Sequence, residues 1–241
     1  MTRAIVLAAG RGSRLYEMDP TPKPLVRVAG RPLLQRTLES LVKGGVGEAV
    51  VVLGYQAQTI REAVLSWGMS LPVRFVLNDR WERSNGLSVL AAAAEVEHGT
   101  FLSMSDHLLG DDLVRAVADF PLADGDAVLG VDRDVRGCFD IDDATKVLLD
   151  PGGITEIGKT LDHYDAIDTG CFRIGPSLVE ALRAAESRSG DASLSDGIRA
   201  LCGSGRMRAC DVGGAFWLDV DTPAAFAHAE LCLARLARLA V

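Results

Sequence analysis

The chain has 241 residues, 48% of them hydrophobic and 24% charged, which suits one large globular domain with a sizeable core. Its net charge of −8 argues against broad binding to nucleic acid or anionic membranes, so a phosphate ligand needs a local basic cluster. The cysteines are odd in number, scattered and never spaced C-x-x-C, as in reduced packing thiols, and no apolar run is long enough to span a bilayer. These features lead to the expectation of a cytoplasmic protein without membrane insertion.

The first predicted strand, Ala4–Ala9, breaks into Gly10-Arg11-Gly12-Ser13-Arg14-Leu15. A buried strand running into a glycine-rich, doubly basic turn places bare backbone N–H groups and cations where a polyphosphate can sit. Lys23 follows in Thr21-Pro22-Lys23-Pro24-Leu25, a long cation on a stiff base. Read alone, the turn is equally a plain strand–turn with solvated arginines. It lacks the third glycine of a dinucleotide-binding loop, having Leu15 there, and no acidic residue ends the second strand.

Pro32–Val42 is predicted as an amphipathic helix, Glu48–Leu53 as a strand, Thr59–Trp67 as a helix and Val73–Asn78 as a strand. Gly86–Glu95 (helix), Thr100–Met104 (strand), Asp111–Phe120 (helix) and Ala127–Asp132 (strand) continue the alternation. Apolar strands alternating with helices indicate a Rossmann-like, mostly parallel α/β sheet with helices on both faces. After residue 133 the pattern changes to paired strands, Lys146–Leu149 and Ile154–Ile157, around Asp150-Pro151-Gly152-Gly153. Asp168–Ile174 reads as a strand, Ser177–Ala185 as a helix, Ser187–Ser193 as a surface loop, and Arg206–Val212 and Ala215–Leu218 as late strands. Pro223–Ala240 is a C-terminal helix that packs on its own domain or serves a homodimer. No linker divides the chain, so residues 1–241 are expected to form a single domain with an α/β portion, 1–132, and a smaller β-rich portion, 133–241.

Several polar residues fall just past predicted strand ends, where open α/β sheets bind ligands. Asp106, in Ser105-Asp106-His107, is either a turn residue or a carboxylate for Mg2+; His107 is expected to pack or hydrogen-bond beside it. Asp219 and Asp221, two apart at a strand end, can approach one cation, or Asp221 can cap the next helix. Asn85, Gly86 and Ser88 form either an Asn-Gly turn or a carboxamide and open backbone facing a nucleobase. Glu156, Lys159, Asp168 and Thr169 are either solvated surface groups or ligands for hydroxyls and a monophosphate.

LAAGRGSRL, PKPLV, SDH, DTGCF and WLDVDT, in that order, resemble the nucleoside-diphosphate-sugar pyrophosphorylase family of nucleotidyltransferases, across nearly the whole chain. PKPLVRV, the NG element, ATKV, IGK-x-L and W-x-DVDT look most like the cytidylyltransferase half of enzymes that make di-myo-inositol-phosphate precursors. The resemblance implies a GT-A-like fold, Mg2+ as cofactor, and transfer of a nucleoside monophosphate from an NTP, CTP favoured, to inositol 1-phosphate with release of pyrophosphate. Guanylyl, uridylyl or thymidylyl transfer to a hexose or cyclitol 1-phosphate shares this framework, as does cytidylyl transfer to phosphocholine or a phosphonate. It further implies that Leu7, Ala8, Ala9 and Gly10 hold base and ribose, and that Gly12, Ser13 and Arg14 meet the triphosphate. Lys23 would contact the α-phosphate, Asn85, Gly86 and Ser88 the base, and Asp106 with Asp219 or Asp221 the metal. Glu156, Lys159, Asp168 and Thr169 would hold the acceptor.

Overall fold

In the computed structural model, which describes residues 2–16 and 21–239, the first strand β1 (Thr2–Ala8) is apolar from Ala4 onward because both its faces are covered. Ile5 and Leu7 point into one core layer, and Ala4, Val6 and Ala8 into the other. A one-turn helix, α1 (Ser13–Tyr16), precedes a short hairpin of β2 (Arg27–Val28) and β3 (Arg31–Pro32). The alternation then proceeds through α2 (Leu33–Lys43), β4 (Val46–Leu53), α3 (Ala57–Ser66), β5 (Val73–Leu77), α4 (Gly86–Ala91) and β6 (Thr100–Met104). Strands β6, β1, β4 and β5 are adjacent and mutually parallel, as the alternating pattern predicts.

The next segment comprises β7 (His107–Leu109), α5 (Asp111–Asp119), β8 (Ala127–Asp132), β9 (Lys146–Asp150), β10 (Gly153–Gly158) and β11 (Ala166–Ile174). Here the sheet becomes mixed. β11 runs antiparallel to β6, β8 and β9, with a break in its β8 register between Asp168 and Phe172. Last come α6 (Pro176–Ser189), α7 (Leu194–Gly203), β12 (Met207–Asp211), β13 (Trp217–Asp219) and α8 (Pro223–Leu239). β12 extends the main sheet beside β8, whereas β13 leaves it and pairs with β7 in a separate two-stranded ribbon. The predicted end of the last helix, Ala240, lies outside the described residues.

One core layer joins the sheet to α4, α6 and α7 through Leu87, Leu182 and Ile198; the other joins it to α2, α3 and α5 through Leu38, Ile60 and Leu113. Each fully buried aliphatic side chain contributes about 1.5–3 kcal/mol of transfer free energy, more than a typical surface ion pair. A third cluster, including Leu15, Leu33, Leu108, Leu218 and Ala229, pins the first loop and α8 to the β7–β13 ribbon. The expected surface loop at Ser187–Ser193 is largely something else. α6 continues to Ser189 and stops on left-handed Gly190, and Ser193 already caps α7, which begins at Leu194. α7 starts with a capping box in which the Ser193 hydroxyl accepts from the Asp196 N–H and Asp196 accepts from the Ser193 N–H. The predicted helix Gly86–Glu95 is also interrupted, with α4 ending at Ala91 before a separate 3-10 turn over Ala93–Glu95.

Candidate active site

β6 and β4 flank β1, so the strand order reverses at β1 and the carboxyl ends of β1 and β6 open into one crevice. Two cavities meet there. One, of about 310 Å³, is walled by Leu7, Ala8, Ala9, Gly10, Gly12, Lys23, Ser88 and Asp106. The other, of about 420 Å³, is walled by Asp143, Lys159, Asp168 and Trp217 from the second half of the chain. Asn85, Met104, His107, Asp219 and Asp221 line both.

Lys23 sits on a single 3-10 turn, Lys23–Leu25, between its two prolines and is only 6% exposed. Its Nζ donates to Asp106 Oδ2 at 2.5 Å and to Asp221 Oδ1. Gly12 makes room for its stem: Gly12 has φ +65°, and a Cβ there would lie 2.5 Å from Lys23 Cβ. The glycine of the phosphate-loop pattern is therefore also required by the lysine that follows it.

Asp106 Oδ1 lies 2.9 Å from His107 Nδ1. Burial raises the Asp106 carboxyl, but the Lys23 charge and the bonds from His107 and Lys23 outweigh it and hold the group well below the usual carboxylate range. Burial likewise opposes charging of His107. The carboxylates of Asp219 and Asp106 prevail and push the imidazole up to about 9, making it cationic at neutral pH. The ring packs against Gly170, which has φ +74° and would put a Cβ 2.3 Å from His107 Cδ2. The predicted Asp-Thr-Gly element thus seats the histidine of the predicted Ser-Asp-His element.

Asp219 Oδ1 is buried, lies 3.9 Å from His107 Nδ1, and has no hydrogen-bond partner among the described residues. Burial raises the Asp219 carboxyl; His107 lowers it and the like charge of Asp106 raises it further. Ligand atoms of Asp106, His107 and Asp219 lie within 4.8 Å of one another. An orphaned carboxylate oxygen beside a second carboxylate fits a hard divalent cation such as Mg2+. Asp221, expected as an alternative metal ligand, is instead committed to Lys23 and to Arg14 Nη2. It sits past the end of β13, so strand alternation does not set its direction.

Arg14 also donates from Nη1 to Asp143 at 2.7 Å, and Lys159 Nζ donates to the other Asp143 oxygen at 2.7 Å. Asp168 accepts from the Gly170 N–H at 2.7 Å, and burial is the main cause of its rise to about 6. Two expected acceptor ligands are placed elsewhere. Thr169 is fully buried, and its hydroxyl donates to the Gly130 carbonyl at 2.7 Å, because strand alternation turns it away from the cavity lined by Asp168 and Gly170. Glu156 is exposed and lines neither cavity; its neighbour Ile157 takes the cavity-facing position.

On the opposite side, Asn85 Oδ1 accepts from the Leu194 N–H at 2.9 Å, and Ser84 donates to Asp191 from both its N–H and its hydroxyl. Ser88 accepts from Asn78 Nδ2 at 3.0 Å. Gly86 lines neither of the two cavities. A Cβ on it would lie 2.5 Å from the Ala192 carbonyl oxygen, so it serves the close approach of α4 to the α6–α7 connection. Ser13 is exposed on α1 and lines neither cavity. The contact of Asn85 with Leu194 is not among the sequence expectations, although Ser193-Leu194-Ser195-Asp196 carries an N-cap signature that marks the start of α7.

The model of the MobA-like NTP transferase domain matches residues 4–239. The chain belongs to that family. This NTP transferase domain is 43% identical over 224 residues to the bifunctional IPC transferase and DIPP synthase of Rubrobacter xylanophilus, covering 91% of this chain and 49% of that protein. It is 35% identical to the protein of the same name from Thermococcus kodakarensis, over 98% of this chain and 51% of that one. The chain thus spans about half the length of these curated relatives. Among solved structures, the inositol-1-phosphate CTP transferase from T. maritima superposes with a TM-score of 0.83 at 30% identity, covering 93% of this chain and 91% of that one. The expected nucleotidyltransferase resemblance and α/β fold agree with these likenesses. No helix among the described residues is long and apolar enough to cross a membrane.

Proposed function

We propose that this domain transfers CMP from CTP to inositol 1-phosphate and releases pyrophosphate. The observation that carries the reading is the setting of Lys23: a buried ammonium in the wall of one cavity, beside Asp221, which also lines the second. The choice of substrates is supported by the likeness to the T. maritima protein, which is of similar length.

In the proposed arrangement the first cavity takes the nucleotide, with Leu7–Gly10 offering backbone to base and ribose. Because the Asn85 oxygen is taken by Leu194, its NH2 group is what remains to meet an acceptor atom on the base. The second cavity takes the phosphomonoester near Lys159, with Asp168 available to inositol hydroxyls. A phosphate oxygen of the acceptor attacks the α-phosphorus; its P–O bond forms as the bond to the β-phosphate oxygen breaks, and pyrophosphate leaves. The attacking oxygen is already ionised at neutral pH, so no side chain has to remove a proton. Lys23 and Arg14 offset the repulsion between two anions and stabilise charge on the departing pyrophosphate. Asp106 and Asp219 would hold Mg2+, which supplies further neutralisation of the triphosphate when bound. We assign nucleotide binding to the 1–132 portion and acceptor binding to the 133–241 portion of one domain.

The test is a pyrophosphate-release matrix of CTP, GTP, UTP, dTTP and ATP against inositol 1-phosphate, hexose 1-phosphates, phosphocholine and a phosphonate. Highest kcat/KM for CTP with inositol 1-phosphate is expected. Activity confined to a hexose 1-phosphate would overturn the acceptor, and no release from any pair would overturn the enzyme assignment.

A further inference from the structure

Asp143, which lines the larger cavity together with Lys159, bridges Lys159 to Arg14, a cation that lines neither of the two cavities. One of its oxygens accepts from Arg14 and the other from Lys159, each at 2.7 Å, across gaps of 129 and 16 residues. Its position is fixed by the loop that carries it: the Asp143 and Ala144 N–H groups both donate to the Asp140 carbonyl at 3.1 Å, and Asp140 is left-handed with φ +56°. Buried Lys146 ties that loop down by donating to the carbonyls of Asp142 and Lys159.

Both terminal nitrogens of Arg14 are committed to carboxylates, one to Asp143 and one to Asp221. A phosphate that takes the Asp143-facing edge of Arg14, or that approaches Lys159, meets a carboxylate of its own sign. The bridge is also weak enough to be displaced, because Arg14, Asp143 and Lys159 side chains are 50%, 38% and 51% exposed.

We infer that Asp143 is a positioning residue that couples the two substrates: its bridge to Arg14 and Lys159 closes the cleft, and each substrate phosphate binds when the bridge opens. This rests on the reading that the triphosphate meets Arg14 and the acceptor phosphate meets Lys159. Two ligands that share a requirement for the open state assist each other, and the coupling factor is the same in both directions. In this scheme, each substrate's affinity alone is reduced by the fraction of open molecules, and binding of the first removes that handicap for the second. Deleting the Asp143 charge should therefore tighten each binary complex by the same factor by which it abolishes the coupling. With two exposed ion pairs to break, that factor is roughly two- to tenfold.

Calorimetric titrations with Mg2+, an unreactive α,β-methylene analogue of CTP and inositol 1-phosphate read each Kd with and without the second ligand. Wild type should show mutual tightening. Asp143→Asn should bind each ligand alone more tightly and show a coupling factor near one, whereas Asp143→Glu restores the coupling. Asp142→Asn, which removes the same charge one position away, should behave as wild type. Weaker binary binding in Asp143→Asn, coupling retained there, coupling absent from wild type, or an equal effect of Asp142→Asn would each overturn the inference. If wild type binds neither ligand, the proposed function fails and the inference fails with it. Binding of both ligands without an Asp143 effect sinks the inference alone.

Discussion

The two cavities are walled by different kinds of structure. The proposed nucleotide side is made where parallel strands end, so Ala8 and Asp106 reach one crevice because β1 and β6 are hydrogen-bonded neighbours pointing the same way. The proposed acceptor side is assembled from antiparallel strands, a ribbon outside the main sheet and the 133–145 segment, and Asp143, Lys159 and Asp168 converge from separate elements. A parallel α/β layer aims its strand ends collectively. A mixed layer aims them one at a time, and each residue's direction depends on local alternation and register.

Replacing residues at the junction of the two sides is expected to have the largest effect. Lys23→Ala should lower turnover by about a hundred- to a thousandfold, the range for loss of one transition-state stabiliser, measured as pyrophosphate release. Near-normal turnover in a folded variant would break the distinction between a charged junction and passive walls. Asp219→Asn, which neutralises the carboxylate whose Oδ1 has no hydrogen-bond partner among the described residues, should lower turnover at least tenfold and raise the divalent-ion concentration for half-maximal activity. An unchanged metal titration would remove Asp219 from that role.

Gly170→Ala tests how the second half supports the first. The added Cβ has to displace the His107 ring from a backbone at φ +74°, so a stability loss of about 1–3 kcal/mol is expected by chemical denaturation. Thr169→Val should cost about 1–2 kcal/mol through the orphaned Gly130 carbonyl while leaving the acceptor KM within about twofold. Glu156→Gln should change stability by less than about 0.5 kcal/mol and leave acceptor KM unaltered, since the side chain is exposed and away from both cavities. A selective rise in acceptor KM in either of the last two variants would return those residues to the acceptor site.

These contrasts also explain what was legible beforehand. Continuous apolar strands between amphipathic helices make the β1–α5 layer readable; strand ends then point to Gly12 and Asp106, and the flanking prolines single out Lys23. The second half was harder because Asp168 and Thr169 are adjacent and chemically similar in pattern, yet one lines the cavity and the other is spent on Gly130. The Asn-Gly pair reads equally as space for a ring because it carries no mark of what packs on Gly86; the α6–α7 connection does. The capping box at Ser193 lies in the sequence as Ser193-Leu194-Ser195-Asp196, inside a stretch of loop-like composition.

By itself the sequence determined the α/β layering, the anion-binding turn after β1, and the family resemblance carried by motifs spread along the chain. Periodicity and short motifs act over a few residues, and those features are local. Tertiary structure alone decided that Asp221 pairs with Lys23 and Arg14, that Asp219 keeps an oxygen with no hydrogen-bond partner among the described residues, and that Asp143 bridges Arg14 and Lys159. Those pairings depend on which side chains the folded chain brings within about 3 Å, a distance that charge pattern along a sequence does not encode.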